Sequence, residues 1–539
     1  MPTSSSSEDL FLAALKHGLP SALPEFLLMQ RWFGGKARTI SGVDVADIVP
    51  FHFADLRSYF VLVRVSYSSG PTETYNVPLV PASYVPGELA DSLLKLESRS
   101  FPEGIVLKDA LTDDRFLAYL LEAVANNNCA RGEQGEIRAI STHALPEIWE
   151  QSQGPLAPSL MHAEQSNSSV AYERRLVLKI FRRLQEGLNP DLEIGSFLTK
   201  AAFRNVPPLA GHIEYRSEAD ASTAMGMLQG YVANQGDAWR FTLNSLAEYY
   251  ERTKAWGSLA AAAIPSAPPL SLSREALPDD ASQRIGPYLD SAALLGRRTA
   301  ELHRALASAP EDPDFAPQPF SDVDAQAFVH SALQLLTSNF ALLRRLKDEM
   351  PEQSRQEADG ALRLEDAARR RFQSLTGLKI SAMVTRIHGD YHLGQVLFTG
   401  SDFVIIDFEG EPARSLEERR KKRSPLQDVA GMLRSFHYAA YAPLLQENDG
   451  KGLLREELRA QAGWAQYWQK WVSAIFLKTY LEVAGNSNFI PIDREELALL
   501  LDLYLLDKAV YELGYELNNR PSWVRIPLDG ISQLLQASI

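Results

Sequence analysis

Residues 388–410 constrain this chain more than any other stretch. They contain His388-Gly389-Asp390-Tyr391-His392-Leu393-Gly394-Gln395 and, after a short connection, the β-rich run Phe403-Val404-Ile405-Ile406-Asp407-Phe408-Glu409-Gly410. A carboxylate in a loop, Asp390, can accept a hydroxyl proton. An amide oxygen five positions on, Gln395, can reach a metal ion. A second carboxylate at a strand end, Asp407, can complete a Mg²⁺ site, because that ion takes one or two carboxylates plus substrate phosphates. Phosphoryl transfer needs these parts, together with cations that hold the phosphates.

The cation is upstream. Leu176-Val177-Leu178-Lys179-Ile180-Phe181 has strand composition and places Lys179 on the face of Val177 and Phe181. Asn189-Pro190-Asp191 then starts a helix, with Asn suited to the N-cap and Pro to the first helical position. Glu193 falls one turn into that helix. A strand lysine paired to a glutamate on the next helix holds α/β-phosphates in protein-kinase-like folds. Glu164-Gln165-Ser166-Asn167-Ser168-Ser169-Val170 precedes the strand and is expected to form the phosphate-covering hairpin. It has no glycine, but Ser166, Asn167, Ser168 and Ser169 offer hydroxyls and backbone N–H groups. Met227 to Val232 is placed like the hinge that hydrogen-bonds adenine, which makes Gln229 and Val232 candidate nucleotide contacts.

The length of 539 residues predicts roughly three or four structural units. The formal charge of −14 argues against nucleic acid, which needs a basic face. Cys129 is the only cysteine, so no intrachain disulfide forms. The sequence shows no secretory signal and no apolar run long enough for a membrane span, so a cytoplasmic protein is expected. Residues 8–30 read as one or two short helices. Strands follow at Val43 to Phe51, Tyr59 to Tyr67 and Glu73 to Val80. Residues 107–127 show helical spacing. After about 235 the chain is mainly helical, with candidates at 243–262 and 288–308, two helices over 322–376, and helices over 426–448 and 454–518. Pro265, Pro268, Pro269 and Pro278 mark a loop or linker. The expected class is α+β, with functional residues where a β lobe meets a helical one.

These motifs resemble the maltokinases, which phosphorylate maltose with ATP at the anomeric hydroxyl and look like aminoglycoside phosphotransferases. The matching segments run in order: Arg31 to Lys36, Glu164 to Val170, Leu178 to Arg183, Gly187 to Glu193, Gly296 to His303, His388 to Gln395, Ile406 to Pro412, Ser424 to Arg434, and Asp507 to Glu512. The resemblance implies a bilobal protein-kinase-like fold, β-rich then helical, with an N-terminal α+β cap. Its expected divisions are a cap at 1–105, an N-lobe at 106–233 and a helical C-lobe at 234–539. It makes Asp390 the base, Gln395 and Asp407 the Mg²⁺ ligands, Lys179 the phosphate anchor, and ATP and Mg²⁺ the cofactors. Glutamine at 395 is the maltokinase-type version of the usual kinase asparagine. His437 departs from the aspartate expected in the family. Maltose 1-phosphate would feed α-glucan (glycogen) synthesis, with trehalose synthase as a partner.

For the acceptor sugar, the helical stretch with Asp507, Lys508, Tyr511, Glu512, Tyr515 and Glu516 supplies aromatic and polar groups, of which 508, 511, 512, 515 and 516 share a face by i, i+3, i+4 spacing, and His392 lies two residues after Asp390. His388 and Asp428 are expected to support the loop, Arg31-Trp32-Phe33 to pack the cap, and Arg419 to Arg423 to form a solvated loop face. A related sugar kinase such as a glucosamine kinase is the alternative within the class. A non-catalytic kinase-like partner of a trehalose-converting enzyme is the alternative outside it.

Overall fold

The computed structural model describes residues 7–82, 93–98, 100–150, 154–161, 166–260, 263–412, 414–446 and 455–536. The chain divides into two compact units, Met1–Ala233 and Asn234–Ile539.

The first unit opens with helix α1 (Ser7–Met29) and strands β1 (Ile40–Pro50), β2 (Tyr59–Tyr67), β3 (Glu73–Pro81), β4 (Leu93–Leu96) and β5 (Ile105–Asp109). Next come α2 (Asp114–Ala125), β6 (Cys129–Arg131), β7 (Gly135–Ser141), α3 (Ala144–Ile148), β8 (Pro158–Met161), β9 (Asn167–Tyr172), β10 (Leu176–Phe181) and β11 (Arg183–Leu184). Helix α4 (Pro190–Lys200) and strands β12 (Leu209–Ser217) and β13 (Ser222–Gly230) complete it. One antiparallel sheet has the order β1-β2-β3-β5-β4, with β11 added to β3. The other has the order β6-β7-β12-β13-β10-β9-β8.

Strand β2 explains how the two sheets cohere. Successive strand residues point to opposite faces, yet Tyr59, Phe60, Val61, Leu62 and Val63 are all buried. Tyr59, Val61 and Val63 pack with Leu15, Leu19 and Leu23 of α1. Phe60 and Leu62 pack into a second core with Phe116 and Leu120 of α2 and Leu176, Leu178 and Ile180 of β10. The first sheet is thus apolar on both faces and shares a core with the second.

The second unit holds α5 (Ala238–Trp256), α6 (Pro269–Leu272), α7 (Asp279–Ile285), α8 (Tyr288–Leu306), β14 (Gln318–Pro319), α9 (Asp322–Leu346), α10 (Glu352–Arg363) and α11 (Glu365–Gln373). Strands β15 (Met383–Val384), β16 (Val396–Phe398) and β17 (Phe403–Ile405) follow, then α12 (Leu416–Arg420), α13 (Leu426–Gln446), α14 (Arg455–Ala484), α15 (Arg494–Asn519) and α16 (Arg525–Gln536). Strands β16 and β17 form a hairpin that carries Gln395 at its start and Asp407 past its end.

Three expectations are corrected. Residues 107–127 are not one helix: Ile105–Asp109 is a strand, and Asp113 caps α2 by accepting from the Arg115 N–H. The helix expected over 243–262 ends at Trp256, where Gly257 takes φ +68. The span 322–376 holds three helices, because the chain leaves α9 through a 3-10 turn before Pro351 and breaks again at Leu364.

Candidate active site

The candidate residues form two groups, one in each unit. In the first unit, β10 buries Leu176, Leu178 and Ile180 and turns Lys179 to the other face. Helix α4 begins as its sequence dictates: Asn189 Oδ1 accepts from the Asp191 and Leu192 N–H groups at 2.8 and 3.2 Å, with Pro190 next. This sets two buried carboxylates, Asp191 and Glu193, in the first helical turn, where the helix dipole favours negative charge. Lys179 Nζ lies 3.4 Å from Asp191 Oδ2, a partner that sequence reasoning did not single out.

Ser168 and Ser169 belong to β9, where Ser169 pairs with Lys179 and Ser168 with Ile180. Ser166 and Asn167 lie at the strand's start, while Glu164 and Gln165 fall outside the described residues. Ser168 Oγ accepts from Arg182 Nε at 2.9 Å. Arg182 is 2 % exposed, forms an ion pair with Asp109, and lies over the Trp32 ring at 4.5 Å. The Arg31-Trp32-Phe33 segment therefore packs, as expected, and its tryptophan lies against the Arg182 guanidinium that donates to Ser168. Gln229 is the last residue but one of β13, opposite Val177, and Val232 lies beyond the strand.

In the second unit, the loop 388–392 is held by one buried carboxylate. Asp428 Oδ2 accepts from the His388 N–H at 2.7 Å and Oδ1 from the Gly389 N–H at 2.9 Å. His303 Nε2 lies 3.1 Å from Asp428 Oδ2, and its Nδ1 lies 2.9 Å from the Tyr480 hydroxyl. Helix α8 supplies two further anchors: Thr299 Oγ1 is 3.0 Å from the Tyr391 hydroxyl, and Arg298 makes a bidentate pair with Asp402 in the β16–β17 turn. His388 plays its expected supporting part, with Nε2 donating to the Ile406 carbonyl at 2.9 Å. Gly389 has φ +85, a conformation open to glycine at little cost.

Asp390 sits in this fixed loop. Lys508 Nζ of α15 donates to Asp390 Oδ1 at 3.3 Å. Burial raises the carboxyl pKa, but Lys508, His392 and His388 together hold it below the ordinary value. Burial likewise opposes the Lys508 charge, and Asp390, Glu512 and Glu411 overcome it, so that ammonium titrates above its usual range. The pair is a carboxylate and an ammonium. His392 Nδ1 accepts from the Gly394 N–H at 3.0 Å, and its Nε2 stands 3.9 Å from Asp390 Oδ2. Burial lowers the His392 pKa.

Gln395 Nε2 donates to Asp407 Oδ2 at 2.9 Å, which orients its amide oxygen as a remaining acceptor. Asp407 adopts φ +67, a left-handed conformation that costs a non-glycine residue ~1–3 kcal/mol. Glu409, missed in sequence, offers a carboxylate oxygen within 4.8 Å of one on Asp407. These oxygen donors suit a hard divalent cation such as Mg²⁺.

Of the acceptor candidates, Lys508 touches Asp390, and Tyr511 lies beside it, 5.0 Å from the ammonium to the ring centroid, with its hydroxyl donating to Glu411 at 2.8 Å. Burial raises the Asp507 pKa against the pull of Arg414, Lys508 and Arg423. Glu512 accepts from Arg434 Nε and Nη2 at 2.8 and 2.6 Å. His437 Nδ1, in turn, lies 2.6 Å from Arg434 Nη1, and burial with the Arg434 charge keeps that imidazole neutral further down in pH than usual. The basic run is tied down: Arg419 donates to the Glu409 carbonyl at 3.0 Å and Lys422 to the Pro313 carbonyl at 2.7 Å.

Residues 26–113 match the maltokinase N-terminal cap domain. The glucosamine kinase of Mycolicibacterium smegmatis is 25 % identical over 277 residues, which is 51 % of this chain and 58 % of that protein. That of Streptacidiphilus jiangxiensis is 25 % identical over 151 residues, 28 % of this chain and 31 % of that protein. Both alignments span less than two thirds of the relative. Among solved structures, glucosamine kinase in complex with glucosamine, ADP and inorganic phosphate superposes with a TM-score of 0.60 at 17 % identity, over 94 % of this chain and 95 % of that one. A second crystal form of glucosamine kinase gives 0.62 at 17 % identity over 97 % and 99 %. No helix among the described residues is long and apolar enough to cross a membrane. The chain resembles the maltokinase-like group: a maltokinase-type cap on a body with the fold of glucosamine kinase.

Proposed function

We propose that this chain is an ATP-dependent sugar kinase and that its acceptor is maltose, phosphorylated at the anomeric hydroxyl to maltose 1-phosphate. The observation that carries phosphoryl transfer is the Asp390–Lys508 pair in a loop pinned by Asp428. With Oδ1 engaged by Lys508, Asp390 Oδ2 is left to orient the sugar hydroxyl and take its proton. His392 lies on that same oxygen's side, 3.9 Å away, where a hydroxyl can be bracketed. Gln395 and Asp407, with Glu409 beside them, would hold Mg²⁺, which supplies charge neutralisation at phosphate oxygens. In the first unit Lys179 and the serines of β9 would hold the phosphate chain. Catalysis of this kind is mostly positioning and charge stabilisation.

The cap match supports maltose. Supply of the product to α-glucan synthesis, with trehalose synthase as partner, belongs to the same proposal. Glucosamine is the second reading, favoured by the two curated relatives and the full-length structural matches. ATP turnover with maltose, glucosamine and glucose side by side, with the phosphorylated position read by NMR, decides between them. Turnover with glucosamine and none with maltose would replace the first reading by the second. Turnover with no sugar would refute both.

A further inference from the structure

The proline-rich segment has no part in the proposed chemistry, yet Pro268, Pro269 and Leu270 wall a cavity of about 390 Å³ inside the helical unit. That volume lies in the range of small-molecule sites. Leu433 of α13 and Leu501 and Leu505 of α15 give it apolar surfaces. Arg371 and Asp502 also line it, but they neutralise each other at 3.0 Å.

Two polar groups in the same lining are not so satisfied. Lys470 of α14 is 8 % exposed. Its ammonium donates to the Ala267 carbonyl at 3.2 Å, and among the described residues no carboxylate pairs with it; Asp529 acts only from longer range. An ammonium carries three donors, and burying one without an anion is costly. His437 is 4 % exposed. Its Nδ1 accepts from Arg434, so the ring proton sits on Nε2, a buried atom with no hydrogen-bond partner, and the nearest carboxylate oxygen, Asp529 Oδ2, stands 3.6 Å away, outside hydrogen-bond distance. An apolar chamber lined by an ammonium with a single hydrogen bond and an imidazole N–H with none asks for an acceptor with an apolar body.

We propose that this cavity binds a small monocarboxylate, its carboxylate on Lys470 and His437 and its hydrocarbon chain against the leucines. The site lies outside the residues assigned to phosphoryl transfer, so it stands or falls independently of that reading.

Calorimetric titration of the full chain with octanoate and with 1-octanol tests it. Octanoate is expected to bind at least about tenfold more tightly than the alcohol, as charge-assisted hydrogen bonds require. Lys470→Met should erase that preference while leaving 1-octanol binding unchanged, and its melting temperature should not fall, because it removes a buried unpaired charge. Ala498→Trp, at an exposed residue of the lining, should block both ligands. Failure of octanoate to bind the wild type, equal binding of the two ligands, or undiminished octanoate binding in Lys470→Met would each overturn the proposal. Should Lys470→Met not fold, His437→Phe with the same two ligands serves in its place.

Discussion

Asp428→Asn isolates what holds the loop that carries Asp390. Asp428 is 1 % exposed, and three donors converge on its two oxygens: the His388 N–H at 2.7 Å, the Gly389 N–H at 2.9 Å and His303 Nε2 at 3.1 Å. Asparagine keeps the shape but has one acceptor oxygen. If that oxygen serves His388 and His303, the new amide N–H₂ faces the Gly389 N–H, donor against donor. A hydrogen bond to a charged group contributes ~1.5–3 kcal/mol, and an unmet buried donor costs ~1–3 kcal/mol, so a loss of about 2–4 kcal/mol is expected. At about 2–4 °C per kcal/mol for a large domain, calorimetry should show the transition of the helical unit about 4–16 °C lower. Asp390 follows Gly389 directly, and a displacement of about 1 Å costs on the order of 10²-fold in rate. The kcat should fall by about that factor, with KM for ATP nearly unchanged. Asp428 and His303 touch, so the Asp428→Asn/His303→Gln double variant should lose less than the two single losses summed. A melting temperature within about 1 °C of wild type together with kcat within about twofold would refute the reasoning.

Further perturbations address other parts of the site. Asp390→Asn should lower kcat by about 10²–10⁴-fold and leave ATP affinity intact by calorimetry; full turnover would remove Asp390 as the base. Lys508→Met removes the charge that, against burial, keeps the Asp390 pKa below 3.8. The ionised base is then lost at higher pH, so the acid limb of kcat/KM should move to higher pH; an unmoved limb contradicts the pairing. Arg182→Met strands the Asp109 carboxylate and should cost about 3–5 kcal/mol in the first unit, read by its melting transition. A Cβ on Gly431 would meet the Tyr391 carbonyl at 2.6 Å, whereas on Gly463 it meets nothing closer than 3.6 Å. Gly431→Ala should therefore lose activity and Gly463→Ala keep it, as turnover assays would show.

Local signals were legible where local physics decides. The strand at Leu176–Phe181 and the Asn189–Pro190 helix start follow from β-branched composition and capping chemistry. Helix α1 departs from its local reading. Residues 8–30 read as one or two short helices, yet one helix spans Ser7–Met29 with Pro20 and Pro24 inside it, because Leu15, Leu19 and Leu23 bury one face against the cap sheet. The pairing of Asp428 with a loop forty residues earlier is a tertiary fact that no spacing rule reaches. Residue type suggests Gln395 and Asp407 as oxygen donors; the hydrogen bond between them and the left-handed backbone of Asp407 have no signal in local sequence.

The shared core of the first unit bears on how its cap can be studied. Removing residues up to the end of the cap would leave Phe116, Leu120, Leu178 and their neighbours without the side chains of Phe60 and Leu62 that cover them. Loss of activity in a truncated protein would then report exposure of that apolar surface, and aggregation with it, rather than a catalytic contribution of the missing segment. Point substitutions that leave both faces of β2 apolar are the informative route. Trp32 is not such a position, because it belongs to the core beneath α1 as well as lying against Arg182.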